Sequence, residues 1–204
     1  MFNKKLFQQN LKTNWLGREL IFLEEVGSTN TYAKNLEKVV PGTLVLAEGQ
    51  SAGKGQHKKI WSAETGKNLT FSLIFTPKQA DRITLLTLVC ASAIEDVICK
   101  YLNDCSINLK WPNDVMCDGK KIAGLLTEVI YNGNKVERVI VGIGLNVNQE
   151  AFTNDLNGVA TTMKLISGQE ASREQLLCDL LTRFEYNYQR WTNSSIDLVK
   201  EINP

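Results

Sequence analysis

Hydrophobic and polar positions change period several times along this chain. Residues 20–26 (LIFLEEV) are a short apolar run and predict a strand. Gly27-Ser28-Thr29-Asn30 follows. Its hydroxyl and amide side chains are of the kind that accept from orphan N–H groups at a helix start, so a helix is expected to about Leu36. Pro41-Gly42 turns the chain into a strand over 43–48, and 68–75 (NLTFSLIF) predicts another, ended at Thr76-Pro77. Across 83–102, Leu86, Val89, Ala93 and Val97 recur at helical spacing and predict a long helix packed on a sheet. Residues 107–110 predict a short strand. Asp118-Gly119 and Asn132-Gly133 are hairpin signals, so 121–130 and 136–147 are expected to be antiparallel neighbours. The run 139–145 is apolar on both faces, as in a central, doubly covered strand. Leu176, Leu177, Leu180, Leu181, Phe184, Tyr188 and Trp191 make one helical stripe, and residues 1–19 read as a polar lead-in. Strands in antiparallel runs with a few helices predict an α+β fold: a mixed, mainly antiparallel sheet with helices packed on it.

Composition narrows the function. A chain of 204 residues, 43% hydrophobic and 22% charged, fits one domain, 1–204, and neither a disordered tail nor a fibre. Lys+Arg of 23 against Asp+Glu of 22 leaves a net charge of +1, so no global field draws the chain to DNA or a membrane. No apolar run approaches the roughly 18 residues of a spanning helix, and no apolar block follows the first residues as in a secretory signal. Five cysteines, an odd number without a CxxC pair, argue against a zinc site or a disulfide framework; a reducing cytoplasm fits.

Two segments carry chemistry. In the loop over 49–67, Gly49, Gly53 and Gly55 allow unusual backbone conformations and close approach of a ligand, and Lys54, Lys58 and Lys59 add charge. Such a loop suits an anion such as a phosphate or carboxylate; a mobile loop with solvated lysines is the plainer reading and carries about half the weight. Neither a Walker P-loop nor a GxGxxG fingerprint is present. Trp61 either stacks on a planar ligand or anchors the loop, the anchor being favoured. His57, the single histidine, reads as an exposed side chain more readily than as a general base, and no GxSxG elbow accompanies it. In Lys110-Trp-Pro-Asn-Asp114, Pro112 fixes a turn and Asn113 and Asp114 end a strand. Asp118-Gly119-Lys120-Lys121 turns back, placing Lys121 at a strand mouth within reach of Lys110 and Asn113. Lys121 either neutralises an anion in a pocket or joins a tight turn in which Asp114 pairs a lysine; generic physics leaves both open.

With both segments read, the sequence resembles the biotin–protein ligases over roughly residues 15–190. Ser28-Thr29-Asn30 is similar to the family's STN block and Gln50-Ser-Ala-Gly-Lys-Gly to its biotin-binding loop. Asn68-Leu-Thr-Phe-Ser links that loop to a central signature, Lys110-Trp-Pro-Asn-Asp114 with Gly119-Lys-Lys-Ile-Ala-Gly124. Gly142-Ile-Gly-Leu-Asn-Val-Asn148 is similar to the late strand. The resemblance implies a catalytic domain like that of class II aminoacyl-tRNA synthetases. It implies an ATP-dependent, AMP-forming ligase that activates biotin as biotinyl-5′-adenylate and transfers it to a lysine of a biotin carboxyl carrier protein. ATP and Mg2+ would be needed. Lys121, Lys54 and Gln56 would be catalytic. Biotin would meet Ser28, Thr29, Asn30, Gln50, Gly53, Lys54, Gly55, Gln56 and Lys121, with Gly124 and Gly144 leaving room for its rings. ATP would meet Lys54, Lys59, Trp61, Asn68, Lys110, Asn113 and Asn146. No metal ligand is implied by residue.

The sequence also departs from the family. The loop commonly reads GRGRRGR, and here it is Gly53-Lys-Gly-Gln-His-Lys-Lys59, with lysines for the arginine fork, Gln56 for an arginine and Lys58 for a glycine. These changes predict faster escape of the adenylate. The resemblance further implies a monofunctional type: the N-terminal DNA-binding domain and the C-terminal SH3-like domain are expected to be absent. A homodimer through a sheet edge, at 136–147 or a neighbouring strand, is a further expectation. The competing readings are a lipoate or octanoyl ligase or transferase of the same fold, a degenerate biotin-binding protein and, weakest, a nucleic-acid-binding module.

Overall fold

The structure is a computed structural model that describes residues 1–56, 59–77, 83–102, 105–153 and 155–192; His57 and Lys58, with the expectations placed on them, lie outside these. Seven strands form one sheet: β1 (Leu20–Val26), β2 (Leu44–Gln50), β3 (Leu69–Phe75), β4 (Ile107–Lys110), β5 (Asp114–Cys117), β6 (Lys120–Asn132) and β7 (Lys135–Leu145). Their order is β1-β2-β3-β7-β6-β5-β4, with β1 and β2 parallel and every other pair antiparallel. The α+β expectation holds.

The two faces differ because side chains alternate along a strand. Leu69, Phe71, Leu73 and Phe75 of β3 and Val139, Val141, Ile143 and Leu145 of β7 enter the main core. Helices α3 (Ile83–Tyr101) and α5 (Arg173–Thr192) close that core, with the short α4 (Met163–Ser167) between them in the chain, and the predicted leucine-rich stripe is the buried face of α5. On the opposite face a smaller cluster of Ala33, Val45, Ile74 and Ile140 lies under the short helix α2 (Thr29–Lys34). That helix covers only part of the face.

Four expectations need correction. Residues 1–19 are no mere lead-in: α1 (Lys4–Asn10) is capped by the Asn3 side chain, and Phe2, Phe7, Leu11 and Leu16 are buried in the main core. The seven-residue helix itself holds only two apolar residues, Leu6 and Phe7, too few to set a period. The Ser28 hydroxyl makes no capping hydrogen bond; the Thr29 N–H is satisfied instead by the Gln50 side chain. The second hairpin turn is shifted by one residue, since Asn132 pairs with Lys135 around Gly133 (φ 58°) and Asn134, whereas the first turn is the predicted one, with Asp118 (φ 49°) and Gly119 (φ 75°) both left-handed. Finally, 139–145 is paired on both sides, by β3 and β6, so this stretch offers no edge to a second copy.

The N-terminal segment is held by a buried ion pair. Arg173 donates to both Glu48 oxygens (2.9 and 3.2 Å), and the Phe2 N–H donates to the same carboxylate. Burial alone would raise the Glu48 pKa, but the Arg173 hydrogen bond, the Phe2 N–H and the Arg173 charge together bring it below its ordinary value of 4.5. A carboxyl with a depressed folded-state pKa stabilises the fold above its unfolded value and loses that contribution as pH falls through the folded one. Glu48→Gln is therefore expected to cost about 3 kcal/mol at neutral pH. It should also flatten the fall in stability below pH 4.5, as measured by urea unfolding across the acid range.

Candidate functional site

On the sheet face that α2 leaves open, three glycines of β6 and β7 leave a patch bare of side chains. Gly142 lies under Asn30: a Cβ there would come within 2.2 Å of Asn30 Oδ1. Gly144 lies under Trp61, with a Cβ 2.1 Å from the indole, and Gly124 lies under both Trp61 (3.0 Å) and the Lys121 side chain (2.8 Å). Above Gly124 and Gly144, where the resemblance implies room for a ligand's rings, lie Trp61 and the Lys121 side chain.

A bulge brings Lys121 to this face. Val115 pairs with Ala123 and Met116 with Lys121, so Ile122 is an extra residue on β6. Ile122 and Ala123 both enter the core, and Lys121 and Gly124, three positions apart, both face the site. Regular alternation would have put these two on opposite faces. Lys121 Nζ then pairs with Asp114 Oδ1 at 2.6 Å and lies 5.6 Å from the centre of the Trp61 ring. The lysine pairs with Asp114, as one of its two readings has it, and its side chain also lines both compartments.

Two compartments meet at Lys121. The inner pocket, about 40 Å³, is walled by Ser28, Thr29, Asn30, Gln50, Lys54 and Gln56 among others. The outer cleft, about 470 Å³, is lined by Lys59, Lys110 and Asn146, and by Phe152, Leu156 and Val159 from a segment that no motif singled out. Gly55, Gln56, Trp61, Asn113 and Lys121 line both. The cleft is of a size usual for small-molecule sites; the pocket is not, because the indole occupies it. The Trp61 Nε1 and the Asn146 Oδ1 are buried without hydrogen-bond partners, a cost of about 1–3 kcal/mol each that a ligand or a movement would relieve. Asn113 Nδ2 donates to the Leu125 carbonyl (2.9 Å), which ties the turn after β4 to β6.

Two predicted residues do not line either compartment. Asn68 is buried, accepting from the Val147 N–H (2.8 Å) and donating to Gln149 (2.6 Å), so both ends of its amide are spent on holding the end of β7. Gly53 is buried against the Trp61 backbone, where a Cβ would lie 2.3 Å from the carbonyl. Gly49, Gly53 and Gly55 have no left-handed φ, so close approach, not unusual conformation, is what requires glycine at Gly49 and Gly53. Trp61 lies on the glycine floor between the compartments instead of on the nucleotide side alone.

The polar wall has residues that the sequence reading passed over. The Thr29 N–H donates to Gln50 Oε1 (2.7 Å), and Thr29 Oγ1 lies between that oxygen (3.1 Å) and Ser72 Oγ (2.8 Å). Asn30 Nδ2 donates to Glu128 Oε2 (2.8 Å) and the Leu126 carbonyl (3.2 Å), and Ser72 Oγ lies 2.6 Å from Asn30 Oδ1. The signal was parity: Thr70 and Ser72 alternate with Phe71 and Leu73, and Glu128 shares a face with Gly124 and Leu126.

The family model for the biotin/lipoate A/B protein ligase family matches residues 22–146. The chain belongs to that family. A bifunctional ligase/repressor BirA from Bacillus subtilis is 33% identical over 195 residues, 93% of this chain and 60% of that protein. A biotin–[acetyl-CoA-carboxylase] ligase from Mycobacterium tuberculosis is 29% identical, covering 90% of this chain and 69% of its own. Among solved structures, the biotin protein ligase from Aquifex aeolicus in complex with biotin and ATP superposes with a TM-score of 0.81 at 31% identity, over 90% of this chain and 76% of that one. The chain thus spans about 60% of the length of the Bacillus relatives. The family's shared catalytic-domain fold is the mixed sheet described above.

The glycine floor gives a test that needs no ligand. Asn30 is held by three hydrogen bonds and cannot retreat, whereas the half-buried Trp61 can. Gly142→Ala is therefore expected to cost about 2 kcal/mol in denaturant unfolding, within the range for overpacked cores. Gly144→Ala should cost less and shift tryptophan emission to the red, a shift that vanishes in a Trp61→Phe background.

Proposed function

We propose that this chain is a biotin–protein ligase: it joins biotin to AMP and passes the biotinyl group to a lysine of a biotin carboxyl carrier protein. The observation that carries this reading is the place of Lys121, one cation at the junction of a small pocket with a polar wall and a larger, lysine-lined cleft. A carboxylate in the pocket and a triphosphate in the cleft would meet there. Family membership and the biotin and ATP bound to the Aquifex aeolicus relative support the same pair of substrates.

In the first step a biotin carboxylate oxygen attacks the α-phosphorus of ATP, the bond from that phosphorus to the bridging oxygen breaks, and pyrophosphate leaves. Two anions must approach, and the Lys121 ammonium, held by Asp114, offsets their repulsion. Lys59 and Lys110 add charge around the triphosphate, Lys54 adds it from the pocket side, and Asn146 offers its unpartnered Oδ1 to a donor on the base. In the second step the acceptor lysine's amine attacks the acyl carbon and AMP leaves, so no enzyme nucleophile is required. Trp61 must leave the glycine floor for biotin to enter, which frees its buried N–H. Ser28, with no capping bond, has its hydroxyl available to the ligand.

Magnesium would supply charge neutralisation to the triphosphate. The described residues hold no group of three or more acids, cysteines or histidines placed for a metal, so the phosphates would provide its anionic ligands. Asp114, the acid lining the cleft, is engaged by Lys121. The five free thiols support a reducing compartment such as the cytoplasm.

The test is intact mass of a purified carrier domain after incubation with this chain, biotin and Mg-ATP. A gain on the acceptor lysine that requires ATP is expected; no gain and no pyrophosphate would sink the reading, and a gain with lipoate in place of biotin would redirect it. Lys121→Ala should cut pyrophosphate release by roughly a hundredfold or more. Its melting temperature should stay close to that of the unaltered chain, because the ion pair it removes is partly solvated.

A further inference from the structure

We infer that Glu128, which lines neither compartment, is a positioning residue for the polar wall: its carboxylate fixes which way the Asn30 amide faces and, through Ser72, how the Thr29 hydroxyl is hydrogen-bonded. The inference rests on the biotin-ligase reading for the ligand it names, but not for the order it describes.

An asparagine amide can be turned end for end, and only its partners decide which end is which. Here the partners decide fully. A carboxylate and a carbonyl only accept, so Glu128 Oε2 (2.8 Å) and the Leu126 carbonyl (3.2 Å) both demand the Nδ2 end of Asn30. Oδ1 is left facing Ser72 Oγ at 2.6 Å. Ser72 has one proton, and Thr29 Oγ1 lies 2.8 Å away on its other side. Once Ser72 gives that proton to Asn30 Oδ1, Thr29 Oγ1 must donate to Ser72 Oγ, and Gln50 Oε1 is left to accept from the Thr29 N–H at 2.7 Å. Gln50 must then present Nε2, its donor end, to the loop and cavity side. Three uncharged side chains, Asn30, Ser72 and Thr29, thus share one hydrogen-bond order with the Glu128 carboxylate at its end, and the Thr29 N–H orients Gln50 beside it.

The geometry leaves little slack. Asn30 lies flat on Gly142, with no Cβ beneath it, and Ser72 is fully buried. Without the carboxylate, Nδ2 keeps a single, longer bond to Leu126, and a turned amide becomes accessible. A cyclic urea, with one acceptor carbonyl flanked by two N–H donors, would detect that change, since a wall of reversed polarity opposes it group for group. An adenine nucleotide in the outer cleft would not, because no member of the Glu128–Asn30–Ser72 chain lines that cleft.

The full chain would be compared with Glu128→Ala, Glu128→Gln and Ser72→Ala. The readouts are biotin affinity by calorimetry, KM for biotin and for ATP from pyrophosphate release, melting temperature, and the Asn30 side-chain amide signals in a 15N spectrum. Glu128→Ala should raise the biotin Kd and KM about tenfold. It should leave the KM for ATP and the melting temperature near those of the unaltered chain, and broaden or shift the Asn30 amide pair. Glu128→Gln keeps an acceptor oxygen and should restore both the affinity and the signals. Ser72→Ala, which removes a single oxygen, should weaken biotin in the same direction, and adding it to Glu128→Ala should cost less than the product of the two. Unchanged affinity in Glu128→Ala, an unrestored Glu128→Gln, or a rise in the KM for ATP matching that for biotin would overturn the inference. If the unaltered chain ignores biotin while its Asn30 signals still depend on Glu128, the ligase reading fails and the positioning role stands; signals that ignore Glu128 overturn the positioning role itself.

Discussion

Strand β7 is crowded on one face and bare on the other, and the site depends on that difference. Val141, Ile143 and Leu145 pack into the main core under α3 and α5, while Gly142 and Gly144 between them carry nothing toward the opposite face. The apolar residues fix the register of the strand, because a slip by one position would turn valine and isoleucine into the cavity and glycine into the core. A stable core is therefore what holds the floor of the pocket open. Any side chain on that floor would collide with Asn30 or Trp61. Packing and function are set by alternate residues of one short stretch.

Much of this was legible because it follows from period and turn chemistry. The bounds of β1 and β4, the long helix after residue 83, the leucine-rich face of α5 and the Asp118-Gly119 turn all follow from local pattern. So does the central place of β7, whose apolar run needed cover on both faces. What local pattern could not carry was long-range. Phe2 and Phe7 are buried because Glu48 and Arg173, far apart in sequence, form an ion pair where the chain begins. Asn68 looks like a ligand-binding amide, yet Val147 and Gln149 consume it. In both cases the deciding partner is remote, and no spacing rule brings it near.

The bulge at Ile122 is a third case, and it bears most directly on chemistry. A strand read from sequence alternates strictly, so Lys121 and Gly124 would be assigned to opposite faces. One extra residue opposite Val115 and Met116 puts both at the site and sends Ile122 and Ala123 together into the core. The extra core residue anchors the bulge. Lys121 gains further constraint from the backbone on its free side: its N–H donates to the Val159 carbonyl (2.9 Å) and its carbonyl accepts from the Thr161 N–H (2.9 Å). With Asp114 on the side chain, the cation at the junction is located by three separate elements.

Trp61 makes the two compartments interdependent. Its ring covers Gly124 and Gly144, shares contact with Lys121, and lines both the pocket and the cleft. The covered arrangement protects apolar ring surface from water, yet it buries an N–H with no acceptor, and these two contributions are of similar size and opposite sign. The ring is consequently held in place only weakly, although its backbone is fixed by the Gly53 carbonyl (3.0 Å). A ligand that takes the glycine floor gains the flat surface the ring gives up, and the ring, still tethered, has the outer cleft to move into. On the ligase reading, filling the pocket then places an aromatic face beside the nucleotide. One side chain would close the empty pocket and later wall the occupied cleft, a reason for a tryptophan to end a loop whose other residues are mostly small or polar.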